Sequence, residues 1–183
     1  MEREEEGKDL ITVLSRFWAR LGGGIVLLCA FAISFDVLTR SLFGATYLES
    51  FELGRYAFAI SVAFGFAYAL TTEAHIRIDA LYRLMPKPAQ VVLDLLALVS
   101  IALLAALMTY YGYSLVHESL ELGVRSSTSL RVYMWIPQAL WLIGLIWFTV
   151  SAWWLVFRFV LRLLARVHEA ASARRLLDRG SRS

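Results

Sequence analysis

Four long apolar stretches constrain this chain more than any other feature. They run from about Leu21 to Phe43, Phe51 to Thr71, Ala89 to Val116 and Tyr133 to Phe157. A helix needs about 20 mostly apolar residues to cross the hydrocarbon core of a bilayer, and each stretch is long enough. A barrel strand would alternate apolar and polar residues in shorter pieces, whereas these runs are unbroken. The predicted fold class is therefore an all-α integral membrane protein with four transmembrane helices. Composition agrees: 59% of the 183 residues are hydrophobic and 18% are charged, too apolar a balance for an ordinary soluble domain.

Placement of charge sets the expected orientation. Arg3, Lys8, Arg16 and Arg20 precede the first span, and Arg77, Arg83 and Lys87 lie between the second and third. Arg158, Arg162, Arg166, Arg174, Arg175, Arg179 and Arg182 follow the fourth, so 14 of the 18 Lys and Arg residues fall on one side. Only Arg40, Arg55, Arg125 and Arg131 fall on the other. Basic loops stay in the cytoplasm, so both termini are expected there. The opening Met1-Glu-Arg-Glu-Glu-Glu6 is acidic where a secretory signal is basic, and the first span is expected to remain in the mature protein.

Three parts are expected: a tail and amphipathic interfacial helix over 1–20, the four-helix domain over 21–157, and a basic amphipathic tail over 158–183. In the first part Leu10, Leu14, Phe17, Trp18 and Leu21 recur at helical spacing, while Ser15, Arg16, Ala19 and Arg20 fall elsewhere. In the last, Arg158, Arg162 and Arg166 repeat every four residues, in reach of anionic lipid headgroups. Simple helix extension with snorkelling arginines accounts for the same pattern. Trp18, Trp135, Trp153 and Trp154 sit near the expected interfaces. Pro86 and Pro88 mark the turn before the third span, and Arg125-Ser-Ser-Thr-Ser129 marks the outer connection before the fourth.

The second span is built for packing. Ala57, Ser61, Gly65 and Ala69 recur every four residues, as do Ala59, Ala63 and Ala67. Small side chains let helix backbones approach where lipid is as apolar as leucine. The outer ends of the first two spans hold Asp36, Arg40, Glu49, Glu52 and Arg55. Asp36 with Arg40, and Glu52 with Arg55, stand at spacings that allow pairing on one helix face. The cluster reads either as ion pairs tying the two helices together or as a pathway for an ion or acidic solute.

Little in the chain points to chemistry. His75 and Asp79 are four apart, but two ligands do not make a zinc site, and a local cap or loop anchor explains them. His75 and His117 are expected at opposite membrane faces, which argues against a haem anchor. Cys29 is the only cysteine, so neither an internal disulfide nor a cysteine cluster can form. No catalytic triad or glycine-rich phosphate loop is present. Neither an enzyme nor a cofactor, a bound metal or a nucleic-acid partner is expected. A self-sufficient four-helix exporter would need an ionisable group near mid-membrane, and Asp94, the nearest candidate, falls close to the start of the third span.

A set of short motifs gives the chain a resemblance. They are Leu38-Thr-Arg-Ser-Leu-Phe-Gly44, Glu52-Leu-Gly-Arg-Tyr56, Gly65, His75-Ile-Arg-Ile-Asp79, Ser126-Ser-Thr-Ser-Leu-Arg131, Trp135-Ile-Pro137 and Trp141-Leu-Ile-Gly144. In this order the chain resembles the small membrane (Q-type, DctQ-like) subunit of tripartite ATP-independent periplasmic (TRAP) transporters. Glu49 stands where members often carry tryptophan, and Tyr133 where they often carry proline. The resemblance implies a scaffold subunit of a sodium-coupled secondary transporter for organic acids in the bacterial inner membrane. It implies two protein partners, a large membrane subunit and a periplasmic substrate-binding protein, besides membrane lipids. Arg40, Glu52, Arg55, Gly65, His75, Asp79, Pro137, Trp141 and Gly144 are the residues expected to serve structure or partner contact.

Overall fold

The computed structural model describes residues 2–44, 50–72, 85–128 and 130–180. Four helices carry the described chain: α1 (Glu2–Phe43), α2 (Ser50–Thr71), α3 (Lys87–Glu121) and α4 (Trp135–Gly180). Within them, Leu10–Phe43, Ser50–Thr71, Lys87–Glu121 and Trp135–Ala165 are each long and apolar enough to cross a membrane. The predicted all-α fold with four spanning helices is what the chain adopts. The expected spans fall on these helices to within two residues.

Local chemistry explains where the helices stop and start. Gly44 and Gly123 follow α1 and α3 with φ of +66° and +59°, the left-handed turn that ends a helix and that a side chain disfavours. Pro86 caps α3 in extended conformation, with a second proline in the first turn, where the missing N–H has no intrahelical partner to lose. Pro137 occupies the same kind of position, the third residue of α4. Within the expected flanks, residues 2–20 and 158–180 continue from the spans as single helices. At about 1.5 Å per residue, α1 and α4 reach well past a hydrocarbon core of about 30 Å.

The helices pack as a row. α1 lies on α2, α2 on α4, and α4 on α3. The inner members are accordingly the more buried: 28% of the apolar window of α2 and 33% of that of α4, against 11% each for α1 and α3. One apolar cluster joins α2, α4 and α3 through Ala67, Leu70, Ala102, Ala105, Phe148, Ala152 and Val156. Thr109 of α3 and Thr149 of α4 share a hydrogen bond of 2.8 Å, which satisfies hydroxyls held within the apolar layer.

Small residues set the spacing of this row. A Cβ on Gly144 would stand 2.8 Å from the Ala63 Cβ and from Phe64 Cδ1, so α4 touches α2 with nothing to spare. Gly22 of α1 similarly lies against the Ser61 backbone of α2, and the Ser61 hydroxyl donates to the Gly22 carbonyl at 2.7 Å. The face that α1 turns inward combines Ser15 with only part of its apolar stripe. Ser15 is fully buried and accepts a hydrogen bond from Trp147 Nε1 at 3.1 Å, and Trp18 packs on Phe64. Leu10, Phe17 and Leu21 point outward. Spacing alone sets Ser15 apart from the apolar face; in a lipid-facing helix the apolar side belongs outside and the small or polar side faces protein.

Candidate functional site

One group of described polar residues lies where α1 finishes, α2 begins and residues 122–134 connect α3 to α4. On α1, Arg40 donates to Asp36 Oδ2 at 2.8 Å across one helical turn, the pair expected from their spacing. Asp36 is fully buried. Its carboxylate also accepts from the Ser50 hydroxyl at 2.8 Å, and Ser50 is the first residue of α2. A buried hydrogen bond thus joins the end of one helix to the start of the next.

Glu52 lies a half-turn further into α2 and is 1% exposed. Its carboxylate accepts from the Tyr56 hydroxyl at 2.5 Å and from the Thr128 hydroxyl. Thr128 in turn shares a hydrogen bond of 2.9 Å with Ser126, and Tyr56 reaches Met134 Sδ at 3.3 Å. A carboxylate in the first turn also sits favourably at the positive end of the helix dipole. The expected partner, Arg55, instead stands exposed and forms no ion pair among the described residues. At this position the correction is physical. The Glu52 carboxylate is buried and met by hydroxyls, while the Arg55 side chain three positions on is exposed.

Residues 124–134 fold back on themselves to present those hydroxyls. Arg125 and Tyr133 form an antiparallel bridge, closed by Ser126 N–H to Val132 O at 2.9 Å and Met134 N–H to Val124 O at 3.0 Å. The turn between them is tight enough to hold Arg131 at a φ of +44°, with its N–H on the Thr128 carbonyl. Sequence reasoning that searched for ion pairs missed Ser50, Tyr56, Ser126, Thr128 and the Ser15–Trp147 contact. The hydroxyl-rich Ser126-Ser-Thr-Ser129 segment was the available signal.

The remaining expected residues separate into two groups. Pro137 is buried, Gly144 makes a close contact between α4 and α2, and Trp141 lies over Gly112, where a Cβ would meet its ring at 3.2 Å. Gly65 does not belong with them: a Cβ there meets nothing within 4 Å. Gly65→Ala should therefore leave the melting temperature of the isolated subunit unchanged or raise it slightly, since alanine favours the helix by roughly 0.5–1 kcal/mol. A melting temperature lowered by the substitution would show that Gly65 packs inside the subunit. His75 and Asp79 lie outside the described residues.

Among the described residues no group of three His, Cys, Asp or Glu side chains is placed to hold a metal. His117 stands on α3, 3.6 Å from the Glu121 carboxylate. Asp94 sits two turns into α3, lining a cleft with Lys87, Gln90 and Arg162, at the end opposite Glu52. What the polar end offers chemically is attachment: two buried carboxylates, each serving as acceptor for a neighbouring segment.

The family model described as tripartite ATP-independent periplasmic transporters, DctQ component, matches residues 29–166. That stretch takes in the last part of α1 from Cys29 onward, all of α2 and α3, and α4 as far as its membrane-spanning part. A comparison with curated proteins gave no match.

Proposed function

Because the chain belongs to the DctQ family, the small membrane component of TRAP transporters, we propose that it is the scaffold against which a large permease subunit works. The family is a transporter component rather than an enzyme, and its members act with a large membrane subunit and a binding protein. The observation that carries the scaffold reading is the row of helices. Its inner pair is locked at Gly144 on Ala63, while α1 and α3 leave most of their apolar surface uncovered. A flat, rigid element with wide apolar faces suits a fixed frame in lipid beside a moving partner.

The finer reading is ours as well. Both termini face the cytoplasm of a bacterial inner membrane, which sets the Glu52 end toward the periplasm. There the subunit helps to dock the substrate-binding protein. Uptake is a sodium-coupled symport of an organic acid, with the substrate and sodium sites in the large subunit. Arg40 and Glu52 order the periplasmic ends of the helices, and Pro137, Trp141 and Gly144 hold α4 in place. His75 and Asp79 set the cytoplasmic turn or meet the partner, and Gly65, open within the chain, is free to meet it too. The three-part division into 1–20, 21–157 and 158–183 gives the two flanks the task of fixing depth in the bilayer.

An affinity pull-down of the tagged subunit from mild-detergent membranes of its native cell tests this. One large polytopic partner is the expected result. Recovery of the subunit alone, stable and monodisperse, together with solute transport by it in liposomes, would overturn the scaffold reading in favour of a self-sufficient transporter.

A further inference from the structure

Beside Glu52, but not including it, a cleft of about 390 Å³ opens between α2 and the 124–134 connection. Arg55 forms one wall and Arg125 the other, with Ser126 and Ser127 between them. Both arginines are exposed. Arg55 makes no ion pair among the described residues, and its side chain is exposed. Arg125 is held in place without being neutralised: its guanidinium carbon lies 4.2 Å from the centroid of the Tyr133 ring, and one of its N–H groups donates to the Tyr133 hydroxyl. The stacking fixes the plane of the fork while leaving other N–H donors unspent.

Among the described residues the lining carries two cations and no acid. The carboxylate nearest in sequence to Arg55, that of Glu52, is buried beneath the hydroxyls of Tyr56 and Thr128 and does not face the cleft. Two planar guanidinium groups with hydroxyl donors between them match a carboxylate, which accepts two parallel hydrogen bonds from one arginine. The cleft also stands on a connection tied down by its own backbone bonds and by Thr128 on Glu52. A side chain arriving there meets donors already in position, which lowers the entropic cost of binding.

We propose that this cleft receives a carboxylate side chain from the surface of the transporter's periplasmic binding protein, with Arg55 and Arg125 as the two donors that grip it. The inference rests on the reading that the subunit helps to dock that protein.

The test uses the assembled membrane complex in nanodiscs, titrated with the transporter's own binding protein. Arg55→Glu and Arg125→Glu should each weaken association about tenfold, and the double variant about a hundredfold. Added salt should weaken the wild-type association far more than that of the double variant. Arg55→Lys, which keeps the charge and loses the fork, should fall between wild type and Arg55→Glu. Arg125→Glu can disturb the connection itself, so Arg55→Glu, at an exposed residue with no ion pair among the described residues, carries the test on its own. If the wild-type complex binds the protein and an assembled Arg55→Glu complex binds it equally well, the cleft is not the grip, although docking stands. If the assembled wild-type complex does not bind the protein at all, the docking reading fails and takes the cleft with it.

Discussion

Gly144→Val should part α2 from α4 and leave the subunit poorly folded. The hydrogen on Gly144 is what lets the two inner helices meet. A Cβ there would stand 2.8 Å from the Ala63 Cβ and from Phe64 Cδ1, and 2.9 Å from the Ala63 backbone carbon. The Phe64 ring can turn aside, but the backbone at Ala63 can yield only if a helix moves. Carbon atoms prefer about 3.5–4.0 Å, so the helices must separate along a contact that continues through Ala67, Phe148 and Ala152. Overpacking of this kind costs about 1–3 kcal/mol, and a branched side chain stands at the upper end. Gly112→Ala is the control, because the nearest atoms a Cβ there meets are side-chain atoms and not backbone, Leu142 Cδ1 and Trp141 Cζ3 at 3.2 Å and Leu145 Cδ1 at 3.5 Å. Thermal melting of the detergent-solubilised subunit, followed by circular dichroism, should show a large loss for Gly144→Val and a small one for Gly112→Ala. Equal stabilities for wild type and Gly144→Val would mean that α2 and α4 are not held at this distance.

The four spans were legible because bilayer thickness imposes a length on apolar runs, and that constraint is written locally in the sequence. Which helix touches which was not, because the order α1–α2–α4–α3 is a property of contacts between distant residues. The small-residue pattern in α2 shows the boundary. Ala63 and Ala67 are fully buried, whereas Gly65, in the parallel stripe, faces open space. A repeat of four drifts around a helix of about 3.6 residues per turn, so a stripe of this kind marks a direction for only part of its length. Gly144 was visible as part of a motif; its physical reason appeared only when Ala63 was placed opposite.

At the polar end, opposite charges drew attention and hydroxyls escaped it. Charge spacing found the Asp36–Arg40 pair because both partners lie on one helix. It misplaced Glu52, whose acceptors are used by Tyr56 one turn on and by Thr128 from a segment 76 residues away. Serine and threonine are so common in connections that their presence in Ser126-Ser-Thr-Ser129 carries little weight until the connection folds back over α2. The same holds for Ser15, which reaches Trp147 132 positions later.

Glu52→Ala is expected to release the 124–134 connection from α2. The substitution takes away the acceptor shared by Tyr56 and Thr128, and half-buried hydroxyls without partners are destabilising. Water that enters the gap can serve the hydroxyls, but it cannot anchor the connection as a fixed carboxylate does. The melting temperature should fall by about 5 °C, and assembly with the large subunit or uptake by the complex should fall severalfold. Glu52→Gln should lie between, since its carbonyl oxygen still accepts while its amide requires one hydroxyl to rotate and accept in turn. Thr128→Val removes the other half of the contact without disturbing α2. If the contact is what matters, the losses of Glu52→Ala and Thr128→Val will not add in the double variant. Additive losses would mean that the two residues act separately. Normal assembly and normal uptake in Glu52→Ala would remove Glu52 from the working surface of the subunit. A lower melting temperature with normal uptake would confine Glu52 to holding the fold, and the docking of the binding protein would then have to rest on the arginines alone.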